Sequence, residues 1–136
     1  MKMKDKWNFL NKVESLEMRR IIHEGINDAD HKNLITLDYN DINEILNKSK
    51  KTLLIKSASL KDLIKKANKV NHLKNTDGII FYAIAGKNFR LYDLLDIHKI
   101  NAPLKSIMVL GVRCISHQKL TFFLLLSWDK PKGGKI

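Results

Sequence analysis

The sequence predicts a single α/β domain of the two-layer, α+β kind, in which a four-stranded mixed sheet is packed by helices and preceded by a long N-terminal helix. Three observations lead there. Four apolar runs have strand length. Amphipathic segments with apolar residues at three- and four-residue steps precede or separate most of them. A chain of 136 residues supports one core, because two would leave roughly 70 residues each, a marginal size. With 44% hydrophobic and 29% charged residues, the chain has enough apolar surface to offset its conformational entropy, which excludes a disordered class.

The first segment, Trp7 to about Ile26, places Phe9, Leu10, Val13, Leu16, Ile21 and Ile22 on one helical stripe between charged residues. Gly25 to Asp30 crowds Gly, Asn and Asp together and should end the helix. A loop is expected up to Asp38, which is a good N-cap for a short helix from Tyr39 to Asn47 with Ile42, Ile45 and Leu46 inward. Thr52 to Ser57 follows as a strand with a continuous apolar run. Ser59 and Asp62 have capping-box spacing, and Leu60, Leu63, Ile64, Ala67 and Val70 form the stripe of the next helix.

Beyond a polar break at Asn75 to Gly78, the run Ile79 to Ala85 is β-branched and aromatic and reads as a strand. Leu91, Leu94, Leu95 and Ile97 mark another short helix, which Pro103 keeps from continuing far. Ser106 to Cys114 and Leu120 to Trp128 are two further strands, and the short connection between them suits a hairpin. The ending Asp129 to Ile136 mixes Pro131, Gly133 and Gly134 with three lysines, the composition of a loose basic tail. The domain organisation expected is therefore a helix over 1–30, an α/β domain over 31–128 and a tail over 129–136.

Lys and Arg number 25 against 14 Asp and Glu, for a formal net charge of +11. Such a surface is drawn to nucleic acid, anionic membranes or acidic proteins, although a Lys- and Asn-rich composition by itself produces part of the excess. One cysteine, Cys114, cannot build an internal disulfide framework and fits a reducing, cytoplasmic setting. The N-terminus lacks the apolar stretch of a secretory signal, and no run is long enough to span a bilayer as a helix, so no membrane insertion is expected. The five histidines, His23, His31, His72, His98 and His117, are scattered without helical pairing, so neither a metal site nor a cofactor is expected.

In this order of elements, LITLDYNDI (Leu34 to Ile42) resembles the synergy loop of the division GTPase FtsZ, whose family pattern is close to GLINLDFADV. Leu34, Ile35, Leu37, Asp38, Tyr39, Asp41 and Ile42 agree or change conservatively, while Asn33 stands for the family Gly and Thr36 for its Asn. Ser57 and Ala58 fall where the family has a GSA turn. DGIIFYAIAGKNFRLYDLLDI (Asp77 to Ile97) is similar to KGILLNITGGEDLTLFEVNEA, and SIMVLGVRCISHQKLTFFLLLSW (Ser106 to Trp128) to NIIFGAVIDEELKDEVRVTVIATGF. The resemblance runs in register from about Met18 to Trp128.

The resemblance implies a C-terminal FtsZ-like domain of the FtsZ/tubulin superfamily. The Gly-rich phosphate cradle of the GGGTGT kind that holds GTP in the family is missing from this sequence. No enzyme activity of its own is therefore expected. In FtsZ filaments the loop enters the nucleotide pocket of the neighbouring subunit, where its acidic residues polarise the attacking water. Carried over by position, the partner-interface loop is Leu34, Thr36, Asp38, Tyr39 and Asp41, with Asp38 and Asp41 as the acids. A plainer reading of these two is an N-cap and a first-turn acid.

Lys61, Lys65 and Lys69 fall at four-residue steps and share one helical face, either a solvated surface or a basic partner-binding face. The partner implied by the resemblance is FtsZ or an FtsZ-like GTPase, whose assembly the chain would modulate. Two other readings are a degenerate or split subunit that pairs with a separate GTP-binding domain, and a basic nucleic-acid-binding adaptor. Nucleic acid ranks second among partners, since aromatic residues that stack single-stranded bases are not interleaved with the lysines.

Overall fold

A computed structural model describes residues 16–26, 33–48, 51–71, 73–86, 89–103, 106–115 and 119–128. The elements are α1 (Leu16–Ile26), β1 (Asn33–Ile35), α2 (Tyr39–Lys48), β2 (Lys51–Ser57), α3 (Leu60–Asn68), a 3₁₀ turn (Leu73–Asn75), β3 (Gly78–Ala85), a 3₁₀ helix (Leu91–Lys99), β4 (Ile107–Cys114) and β5 (Thr121–Trp128). Every strand and helix expected within these residues is present to within two or three positions. The helical stretch expected before Leu16 and the basic tail over 129–136 lie outside the described residues.

The four expected strands form one mixed sheet, and β1 adds to it at one edge in the order β1-β4-β3-β5-β2. β3 runs parallel to β4 and antiparallel to β5, while β2 pairs antiparallel with β5 and β1 antiparallel with β4. The hairpin expected between β4 and β5 is thus corrected, because β3 lies between them. Its seat shows in its burial: six consecutive residues from Gly78 to Ala83 are buried, and only a strand covered by neighbours and by both faces can hide such a run. The connection over 115–120 reaches about 20 Å when extended, ample for the roughly 10 Å of two strand spacings. Connection length therefore permitted either arrangement, and burial selected one.

β1 is a second correction, since this stretch reads from sequence as loop. Three residues are too few for a hydrophobic period to show, yet they cover N–H and C=O groups on the β4 edge that would otherwise stay unpaired. Asn33 stands opposite Arg113 and Ile35 opposite Val112, with an irregularity between.

Helices cover both faces of the sheet. On one face Ile21 and Ile22 of α1 join Ile42, Ile45 and Leu46 of α2 against Ile80 and Tyr82 of β3, Val109 of β4, and Phe123 and Leu125 of β5. On the other, Leu63, Ile64 and Ala67 of α3 and Leu94 of the 3₁₀ helix pack on Ile79, Phe81 and Ala83 of β3, Val112 of β4, and Phe122, Leu124 and Leu126 of β5. The reason is in β3 and β5, which are apolar at successive positions and need a cover on each side. At Gly78 the helical layer comes so close that an added Cβ would stand 2.7 Å from Ile45 Cγ2 and 2.8 Å from Ser127 Oγ.

The segment expected as a short helix through Leu91, Leu94, Leu95 and Ile97 is a 3₁₀ helix, which alters what it buries. With three residues per turn, Leu91, Leu94, Ile97 and Ile100 fall on one row, of which Leu94 and Ile100 are buried, whereas Leu91 at its start and Leu95 off the row stay exposed. Together with Tyr92 they leave an apolar surface on this helix, beside a shallow cavity of about 300 Å³ lined by Tyr92, Asp93, Leu95 and Asp96.

Candidate functional site

The loop from β1 into α2 is fixed at three points. β1 ties its start to the sheet edge. Leu37, only 1% exposed, inserts into the core between the exposed residues Thr36 and Asp38. Its seat exists because position 111 is glycine: a Cβ there would lie 2.7 Å from both Cγ and Cδ2 of Leu37, and 2.9 Å from Cδ1 of Tyr82. The third point is Asp38, whose Oδ1 accepts hydrogen bonds from the backbone N–H groups of Asn40 (2.8 Å) and Asp41 (3.2 Å), while its carbonyl accepts from the N–H of Ile42 (3.0 Å).

Asp38 is therefore the N-cap of α2, and Asp41 is its exposed third residue. Capping orients the Asp38 carboxylate, since one oxygen is held by two backbone donors while Oδ2 accepts from none of the described residues. An oriented, solvent-facing carboxylate at a helix start can hold a water molecule or accept a proton from one supplied by a partner. Capping and partner contact are compatible uses of the two oxygens. Tyr39 is half-buried against the α1/α2 side of the core. Leu34 belongs to β1.

Lys61, Lys65 and Lys69 lie elsewhere. All three are exposed on or just beyond α3, which packs on the face opposite α2. The structure thus brings Thr36, Asp38, Tyr39 and Asp41 together at one helix start and keeps the three lysines apart from them. Among the described residues no group of three or more His, Cys, Asp or Glu side chains could hold a metal ion.

The start of α3 has its own network. The Ser59 hydroxyl accepts from the Asp62 N–H at 3.2 Å, the N-terminal half of the expected capping box. The reciprocal half is relayed, because the Ser59 N–H donates to Ser57 Oγ (3.1 Å) and the Ser57 hydroxyl donates to Asp62 Oδ2 (2.7 Å). The Ser57 hydroxyl, followed by Lys66 at 3.1 Å, holds the Asp62 carboxyl below its ordinary 3.8. The unfolded chain then takes up this proton first on acidification. The network's stabilisation is complete above 3.8 and is lost as pH falls through the lower folded-state value. Asp62→Asn should accordingly melt below the wild type at pH 7, and thermal scans should show the gap closing on acidification below 3.8.

Residues that sequence reasoning did not single out are Gly111 and Tyr82, which form the seat for Leu37. An isolated glycine within the apolar run Ile107 to Cys114 was the available signal, since glycine in a strand marks close approach of another group.

Neither a protein-family model nor a curated protein sequence matches the chain. Solved structures do. The chain aligns over 96% of its length with an empty FtsZ dimer from M. jannaschii, at a TM-score of 0.59 and 10% identity. A single-site mutant of M. jannaschii FtsZ aligns over 94% of the chain at a TM-score of 0.61 and 13% identity. Its fold is that of the FtsZ C-terminal domain. The chain spans less than half of each matched FtsZ, 44% and 41% respectively. At such identities the FtsZ-like fold is what is shared, and a function has to be argued from the site. No helix among the described residues is long and apolar enough to cross a membrane.

Proposed function

We propose that the chain is a non-enzymatic modulator of FtsZ assembly, which binds an FtsZ subunit through the loop before α2 and caps filament growth. The observation that carries this reading is the loop itself. In an FtsZ-like fold it projects Thr36, Asp38 and Asp41 into solvent while Leu37 and the Asp38 cap hold the backbone in place. One matched structure is an FtsZ dimer, which supports association between FtsZ-like folds. By the resemblance, a loop of this kind docks at the nucleotide pocket of a neighbour. The sequence carries no Gly-rich phosphate cradle, so a subunit of this sequence alone would offer the next FtsZ no nucleotide. The +11 charge would speed its encounter with an acidic partner.

The test is FtsZ polymer mass and GTP turnover with increasing amounts of the chain. Because alanine at position 38 would also remove the cap, at a cost of about 1 kcal/mol, the informative variant is Asp38→Asn/Asp41→Asn. Asparagine caps equally well and lacks the charge. Polymer mass should fall in proportion to added wild type and hold with the variant. Undiminished polymer in the presence of excess wild type would reject the reading. Co-purification of a separate GTP-binding domain would favour a split subunit instead.

A further inference from the structure

The outward face of α3 has no role in the loop's proposed contact, and we infer that it is a binding surface for the phosphate backbone of duplex nucleic acid. Lys61, Lys65 and Lys69 are exposed and lie one helical turn apart, about 6 Å of rise per step and about 12 Å in all. One strand of a duplex carries a charge about every 3.4 Å of axis, so the stripe faces three to four phosphates. No carboxylate of a described residue lies within ion-pairing distance of these three lysines, whereas Lys48, Lys56, Lys66 and Lys99 are paired with Glu44, Glu17, Asp62 and Asp96. Asp62, the one acid within α3, is hydrogen-bonded by Ser57 and paired with Lys66, and feels the charge of Lys65 only through a weaker, longer-range attraction.

The chemistry of the face selects among polyanions. Leu63, Ile64 and Ala67 turn inward, and the outward positions of α3 hold no aromatic or arginine. A specific protein interface would be expected to place such anchors at its centre and to avoid lysine there. Single strands are gripped by stacking, which this face cannot supply. Base edges are read by arginine, asparagine or glutamine. Asn68 is occupied, donating to the Lys99 carbonyl (3.1 Å) and accepting from the Asn101 N–H (2.8 Å). Lysine point charges on a convex helix fit sequence-independent contact with a duplex backbone.

Binding of the full chain to a labelled random-sequence DNA duplex, followed by fluorescence anisotropy against salt, tests this. Three phosphate contacts give a log–log salt slope of about −2.7, so affinity should drop about 40-fold between 50 and 200 mM salt. Lys61→Gln/Lys65→Gln/Lys69→Gln should abolish most of that slope without moving the melting temperature. The charge-matched control Lys48→Gln/Lys99→Gln/Lys119→Gln should retain it, and a single strand of the same sequence should bind more weakly. Equal loss in the two triple variants would overturn the inference in favour of diffuse charge. Binding to polyglutamate but not to duplex would overturn it in favour of an acidic protein, and absence of duplex binding at low salt would overturn it outright.

Discussion

Leu37→Ala is expected to cost about 2–5 kcal/mol, because it deletes a side chain that is 1% exposed and leaves a cavity between Gly111 and Tyr82. Gly111→Ala is expected to cost about 1–3 kcal/mol for the opposite reason: its new Cβ would stand 2.7 Å from Leu37 Cγ and Cδ2, neither of which can withdraw from a packed core. The two defects are complementary in shape. In Gly111→Ala/Leu37→Ala the atoms that clash are gone and the added methyl enters the void, leaving only the approach to Tyr82 Cδ1 at 2.9 Å. Urea denaturation of the two single variants and the double variant should therefore give a double-variant loss smaller than the sum, by about 0.5–3 kcal/mol. Additive losses would mean that Leu37 is not seated on residue 111. Since Leu37 anchors the loop, Leu37→Ala should also weaken any effect on FtsZ assembly although both aspartates remain.

Phe81→Ala is the second large effect, about 3–5 kcal/mol out of the 5–15 kcal/mol that typically holds a domain together. Phe81 is fully buried in β3, between Leu110 of β4 and Leu124 of β5, with its ring centroid 5.8 Å from that of Phe122. Truncation empties the middle of the α3 face, where backbone pairing on both sides prevents the sheet from closing the gap. Leu53→Ala is the internal comparison, because Leu53 is 40% exposed on the edge strand β2 and should cost well under half as much. If urea midpoints showed similar losses for the two, β3 would not be the central strand and the β4–β5 hairpin would regain its case.

The same pair of residues marks where the sequence stops being informative. Phe81 and Leu53 both lie in apolar runs of strand length, and nothing local says that one run is central and the other an edge. The start of α2 was more legible: an aspartate before an amphipathic stripe has one favoured geometry, and Asp38 adopts it. The 3₁₀ helix was legible only as apolar punctuation, because the difference between three and 3.6 residues per turn is small over one short segment, yet it decides that Leu94 is buried and Leu95 exposed. For the candidate loop, residue types and their resemblance in register named Thr36, Asp38 and Asp41, which are exposed, and Tyr39, which is half-buried, but the seating of Leu37, and the glycine beneath it, came from packing.

By itself, then, the sequence determined four of the five strands, the α-helices among the described residues, the cap of α2, the stripe of lysines on α3 and an α/β core with the pattern of an FtsZ C-terminal domain. These depend on interactions between residues a few positions apart, where spacing and side-chain type suffice. Tertiary structure alone decided that β3 separates β4 from β5, that β1 joins the β4 edge, that helices cover both faces, and that the loop and the lysine stripe lie on opposite sides. Those choices depend on which distant apolar surfaces exclude water together. Hydrophobic burial has no direction along the chain, so many pairings satisfy the local pattern and only the packed whole distinguishes them.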